Sequence, residues 1–399
     1  MKLFKKIIKA VLSVLLIFIF VVAGYAATQI DFSNSKDLTE FLTANYSKAG
    51  IPGMAVTLIK DNQVAYFNGF GFADIENGKT ITQDTIFQVA SISKTVTGTA
   101  VMQLYERGLL DLDRDINAYL PFEVKNPNFP EAPITARMLL THTSTILDDW
   151  DVLDPLYILS TGGGDSTITL KEFLSEYLTR EGQWYHPDKN FYAQAPGTYY
   201  DYSNVGYALL GYLVEAISGQ DFNVYCRENI FVPLKMENTG WFLSEVDTEL
   251  MARPYEKEGK ELKALPFYGF PTYPDGCLKT SSRDYARFLM AFLNGGEYEG
   301  QRILQEKTVD EMLQYQVPEE RQGLTWDLRA PEAFLIDCKE QLVPGHSGGD
   351  PGITSFTFYL PEQKTGVILF INQTAELEFK TINLLRIVKR MFEEAQKTG

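Results

Sequence analysis

The chain has 399 residues, 45% hydrophobic and 22% charged, an ordinary globular profile with ample length for a large core. A formal net charge of -16 with no basic stripe to offset it argues against a nucleic-acid partner. Cys226, Cys277 and Cys338 lie far apart without a CxxC pair, so free buried thiols are expected instead of a disulfide framework or a thiolate metal site.

Residues 1–28 read as a leader. Lys2, Lys5, Lys6 and Lys9 form a basic region, and Ala10 to Ala27 is an apolar run broken only by Ser13, Gly24 and Tyr25. Gly24-Tyr25-Ala26 offers a signal peptidase a small-x-small site. An uncut anchor fits equally, because Ile7 and Ile8 extend the run past a Lys9 that can snorkel. In both cases the lysines stay inside and the body is placed outside, periplasmic or extracellular, with membrane contact only through the leader.

The remainder, residues 29–399, reads as one unit. Asp37 to Lys48 is a predicted helix, and Met54 to Lys60 and Gln63 to Phe70 pair across an Asp61-Asn62 turn. Asn126 to Pro133 and Thr161 to Ser166 read as loops. Near the other end Ile353 to Leu360 and Gly366 to Asn372 pair across Pro361 to Thr365, and Leu377 to Lys397 follows as an amphipathic helix. The expected fold class is α/β (α+β). Both termini build one antiparallel sheet flanked by helices, and a mostly helical lobe of about residues 85–265 is inserted into it.

Ser91-Ile92-Ser93-Lys94 opens a predicted helix whose apolar stripe is Ile92, Val96, Ala100, Val101 and Leu104, with Gly108 as its stop. As a plain N-cap, Ser91 would want Glu or Gln three residues on, and Lys94 stands there instead. A cation in the first turn opposes the helix dipole by about 0.3–1 kcal/mol. Local rules broken without visible compensation mark functional sites. The spacing brings Lys94 Nζ near Ser91 Oγ on one helix face. Ser33-Asn34-Ser35-Lys36 repeats the pattern just past the leader, so context selects Ser91.

Tyr202-Ser203-Asn204 precedes a second predicted helix, Val205 to Ile217, closed by Ser218-Gly219. Asn204 is there either as its N-cap or as a donor to a substrate carbonyl. Tyr66-Phe67-Asn68 matches the same pattern inside a predicted strand. His346-Ser347-Gly348 is the only HxG in the chain. Gly345 to Gly349 also fits a nucleophile elbow, but Asp350-Pro351-Gly352 leads into a strand, not a helix, and no histidine follows His346 to complete that triad. His142, His186 and His346 are scattered without metal-site spacing, and neither GxGxxG nor a P-loop occurs, so no metal and no cofactor are expected.

In this order the motifs resemble the serine β-lactamase and penicillin-binding-protein superfamily, in its class C-like branch, which also holds family VIII esterases and D-amino-acid peptidases. The resemblance runs from about Leu38 to Asn372. It is carried by Phe87 to Lys94, by Leu139-Leu140-Thr141-His142-Thr143-Ser144, and by Pro196-Gly197-Thr198 leading to Tyr202 through Tyr207. Asn294-Gly295-Gly296 and Gly323-Leu324-Thr325-Trp326 are similar as well. His142 looks like a structural member of its motif.

Chemistry and resemblance together imply that Ser91 Oγ attacks a carbonyl and forms an acyl-enzyme that water releases. Lys94 and Tyr202 share the general-base and proton-return roles. Asn204, His346, Ser347, Gly348 and Gly349 are the expected substrate-binding residues, and the N–H groups of Ser91 and Gly349 the expected oxyanion hole. Making Lys94 neutral at pH 7 takes roughly 4–5 kcal/mol, so its pocket must be dry or locally positive. His346 stands where the β-lactamases carry lysine and is mostly neutral near pH 7. The expected substrate is therefore an ester or a small amide or peptide. Alternatives are a D-Ala-D-Ala carboxypeptidase or β-lactamase acting on cell-wall peptides or β-lactams, and an inactive penicillin-binding-type sensor.

Overall fold

The computed structural model describes residues 37–159, 162–259, 261–328, 342–374 and 379–397. The leader, the second Ser-x-x-Lys pattern, Thr161, Cys338 and the first residues of the predicted terminal helix lie outside them. Among the described residues no helix is long and apolar enough to cross a membrane.

Helix α1 (Leu38–Ala49) begins where the Asp37 carboxylate accepts from the Glu40 N–H, and it ends on Gly50 in the left-handed region. Strands β1 (Gly53–Lys60) and β2 (Gln63–Asp74) turn through Asp61 and Asn62, at φ 49° and 62°. Two left-handed residues match the twist of a tight hairpin, and Asp and Asn tolerate them best after glycine. β2 outruns its predicted end at Phe70 and pairs with β3 (Lys79–Thr80).

The middle segment is mostly helical. Its largest members are α2 (Ser93–Glu106), α3 (Asn204–Ser218) and α4 (Ser282–Leu293). It also contains strands that periodicity does not reveal: β4 (Ile86–Gln88), β5 (Thr239–Gly240) and β6 (Lys279–Ser281) form a small sheet in the order β4-β6-β5. A hairpin joins Tyr255–Glu258 to Glu261–Ala264.

The chain then returns to the main sheet as β7 (Gly345–Asp350), β8 (Ile353–Leu360) and β9 (Thr365–Ile371), and closes with α5 (Phe379–Lys397). The six strands run β7-β8-β9-β1-β2-β3, with Met54 opposite Ile371, so the first and last described strands lie side by side.

Strand alternation divides the core. Met54, Val56, Leu58, Val367, Leu369 and Ile371 face a back layer made by Phe41 and Leu42 of α1 and Leu384, Ile387, Val388 and Met391 of α5. Ala55, Ile59, Ile368 and Phe370 face the front, beneath the middle segment. Each fully buried aliphatic side chain contributes about 1.5–3 kcal/mol. The front face, at its β7 edge, holds the site.

Candidate active site

A single 3₁₀ turn, Ala90–Ile92, carries Ser91 into α2. Ala90 is left-handed at φ 47°, a strained position that a small side chain suits. Ser91 does not cap the helix: no side-chain cap hydrogen bond forms at either end of the turn. Its Oγ instead accepts from Lys94 Nζ at 3.1 Å. Lys94 is wholly buried, and its other donors go to Asn204 Oδ1 at 2.7 Å and the Asp275 main-chain oxygen at 2.9 Å. All three acceptors are uncharged. Burial lowers the Lys94 pKa, against an upward pull from Asp275, Asp148 and Asp350. The pocket is dry and locally negative, so dryness alone favours the neutral amine.

Helix α3 supplies the second group. Its N-cap is Ser203, whose hydroxyl accepts from the Gly206 N–H at 2.9 Å. Asn204 is therefore not the cap. Its Nδ2 donates to Asp148 at 2.8 Å while its Oδ1 takes Lys94, so the amide spans an acid and an amine. Asp148 also accepts from the Asn204 and Val205 N–H groups, a helix N-terminus closed by a carboxylate. Burial raises its pKa while those donors lower it.

Tyr202 leaves part of its ring exposed but directs its hydroxyl to a hydrogen bond with Ser91. Lys94 Nζ lies 4.9 Å from the ring centroid. Burial pushes the phenol well above its ordinary range, and the Ser91 hydrogen bond only partly offsets this. Behind it, His142 stacks on Tyr202 with centroids 4.3 Å apart, and its Nδ1 accepts from the Ser203 N–H at 3.1 Å. His142 sits at φ 57° and is held neutral by burial and by Lys94. It acts as a wedge that orients the Tyr202 ring.

Strand β7 forms the third wall. Within the main sheet it pairs only with β8, and its other edge, bridged at Gly345 by Asp327, runs past Ser91. His346, Gly348 and Asp350 share its front face. A Cβ on Gly348 would stand 2.9 Å from the Ser91 nitrogen and 2.6 Å from the Val89 oxygen, so only glycine lets the strand come this close to the nucleophile. Ser355 Oγ donates to that same Val89 oxygen at 2.7 Å and ties the turn to the sheet. Gly349 is exposed with open space around it, whereas Ser347 is half-buried. His346 is buried, its Nδ1 lies 2.7 Å from the Ser347 oxygen, and burial with Lys94 lowers its pKa to about 4.

Ser91, Lys94, Tyr202, Asn204 and His346 thus surround one point, with Gly348 beside them on the strand. Asp148, Asp275 and Asp350 escaped the sequence reading. Asp350 lies just before the predicted strand Ile353 to Leu360, and the strand that carries it, β7, was not expected. Asp275, in Tyr273-Pro274-Asp275-Gly276, reads as a turn.

A family model described as Beta-lactamase matches residues 35–389. The chain belongs to that family. It is 28% identical over 359 residues to a Beta-lactamase from Yersinia enterocolitica, covering 83% of this chain and 85% of that one. Among solved structures it is similar to the octameric penicillin-binding protein homologue from Pyrococcus abyssi, with TM-score 0.73, 26% identity and coverage of 90% and 78%. The D-amino acid amidase from Ochrobactrum anthropi SV3 complexed with D-phenylalanine shares the fold at TM-score 0.70 and 21% identity, covering 91% of this chain and all of that one. The architecture is that of the serine β-lactamase and penicillin-binding-protein superfamily.

Proposed function

We propose that the protein is an exported serine hydrolase that cleaves an ester or a small amide or peptide bond through an acyl-enzyme on Ser91. The observation carrying this reading is the convergence of Lys94 Nζ at 3.1 Å and the Tyr202 hydroxyl on Ser91 Oγ. Burial favours the uncharged amine of Lys94 and the protonated phenol of Tyr202. Those states support Lys94 as the base that takes the Ser91 proton, and Tyr202 as the donor that hands a proton to the leaving group. Asn204, anchored by Asp148, holds the amine in place. The N–H groups of Ser91 and Gly349 receive the developing oxyanion, the first strengthened by the start of α2.

His346 separates this site from efficient β-lactam hydrolysis. A neutral imidazole offers no permanent cation to the carboxylate of a penicillin or a cell-wall peptide. The test is a panel of short- and long-chain esters, D-aminoacyl amides and a chromogenic cephalosporin, with Ser91→Ala as the blank. Ester or amide turnover that the blank lacks, with slow cephalosporin turnover, is expected. Equal turnover by Ser91→Ala would overturn the mechanism, and rapid cephalosporin hydrolysis at neutral pH the substrate assignment.

A further inference from the structure

The site contains more acid than acyl transfer uses. Asp350 is half-buried at the end of β7, on the face that carries His346 and Gly348. Two residues of strand place it roughly 7 Å along the edge from Gly348, the residue that packs against the Ser91 nitrogen. Tyr157 donates to its Oδ1 at 3.2 Å, and its Oδ2 would lie 3.3 Å from a Cβ on Gly276. The residue before that glycine is Asp275, 3% exposed, whose side chain hydrogen-bonds Thr272 while its Oδ2 has no partner at all. Lys94 spends its donors on uncharged oxygens, so neither carboxylate has a direct cationic partner among the described residues. No described group of acids, histidines and cysteines is arranged to hold a metal ion.

Two buried or half-buried carboxyls, one with an orphan oxygen, are costly without a compensating cation. Burial raises both, Asp275 to about 8 and Asp350 to about 7, and the charge of Lys94 only partly offsets it. At the other end of β7, His346 is neutral. The polarity of the cleft therefore suits a substrate that brings a cation rather than a carboxylate.

We infer that Asp350, backed by Asp275, binds the ammonium group of a 2-aminoacyl substrate, so that the acyl group passed to Ser91 is that of an amino acid with a free amine. The inference rests on the hydrolase reading and narrows its substrate class. An α-ammonium lies one carbon from the scissile carbonyl, which matches the short run of strand between Gly348 and Asp350.

The full-length protein is assayed at pH 7 on the ethyl esters of D- and L-alanine and on their N-acetyl derivatives, with Ser91→Ala as control. At that pH an α-amino group of ordinary pKa, about 7.7–8.0, is mostly charged. A charge-assisted hydrogen bond predicts kcat/KM about tenfold or more higher for the free amine of at least one enantiomer. Asp350→Asn should collapse that preference. In the unaltered protein alaninol should inhibit competitively and N-acetylalaninol should not, a readout that needs no folded variant. Ser91-dependent turnover of the acetylated esters at equal or higher kcat/KM, or equal inhibition by the two alcohols, overturns the ammonium subsite and leaves the hydrolase reading standing. Absence of Ser91-dependent turnover with every ester overturns the hydrolase reading itself.

Discussion

The two faces of the main sheet are built by opposite rules. Behind it, α1 and α5 cover alternating aliphatic residues, and α1 carries an aspartate at its start and a left-handed glycine at its end. In front, around Ser91, the local rules fail one after another. Ala90 and His142 are left-handed, Lys94 is a buried amine, and an Asp275 oxygen is unpartnered. The back layer is packed from apolar side chains between ordinary helix ends, with Asn45 Oδ1 as a buried polar atom left unpartnered. The front must hold an amine, a phenol and an alcohol in reactive states, and it does so by excluding water from charges. Strain at the front is offset by apolar burial on both faces, the larger buried cluster lying in front.

Substitutions can break that division, and the largest effect belongs to the front. Ser91→Ala should lower ester kcat/KM by about 10⁴-fold or more while leaving unfolding free energy within about 0.5 kcal/mol of the parent, measured by urea titration. Tyr202→Phe removes only a hydroxyl and should cost about 10²–10⁴-fold in kcat. Leu384→Ala tests the opposite face. It should lower unfolding free energy by about 2–5 kcal/mol and leave kcat/KM of the folded protein unchanged.

A subtler contrast concerns pH. Asp350 is raised to about 7 from an ordinary 3.8, so between about pH 4 and 7 the folded protein keeps a proton that the unfolded chain has released. Its contribution to stability therefore falls as pH rises through that window. Asp350→Asn should stabilise the protein more at pH 8 than at pH 5, by about 1–2 kcal/mol, discounted from the full shift because the side chain is only partly covered. The smallest effect is expected at the junction of the two regimes: Ser203→Ala, which removes the cap of α3, should cost about 1 kcal/mol of stability.

The same contrast explains what the sequence made legible. Periodicity and turn chemistry mark the back layer and its hairpins, because Asp61-Asn62 and the alternating aliphatics are local signals. Ser91 and Lys94 announced themselves by breaking a local rule at a helix start. The short strands β4, β5 and β6 have two or three residues each, too few to display a period. The capping role went to Ser203 instead of Asn204, a choice made by Lys94 and Asp148 from distant segments. Asp148 and Asp275 matter only because the fold brings them near Lys94, and no spacing along the chain records that proximity.

The most direct test of the central claim is covalent. The protein is treated with a fluorophosphonate, digested, and the modified peptide sequenced by mass spectrometry. A single adduct on Ser91, lost when Lys94 is replaced by alanine, is the predicted result. An adduct on any other residue, or unchanged labelling of Ser91 without Lys94, would contradict a serine made nucleophilic by the buried amine beside it.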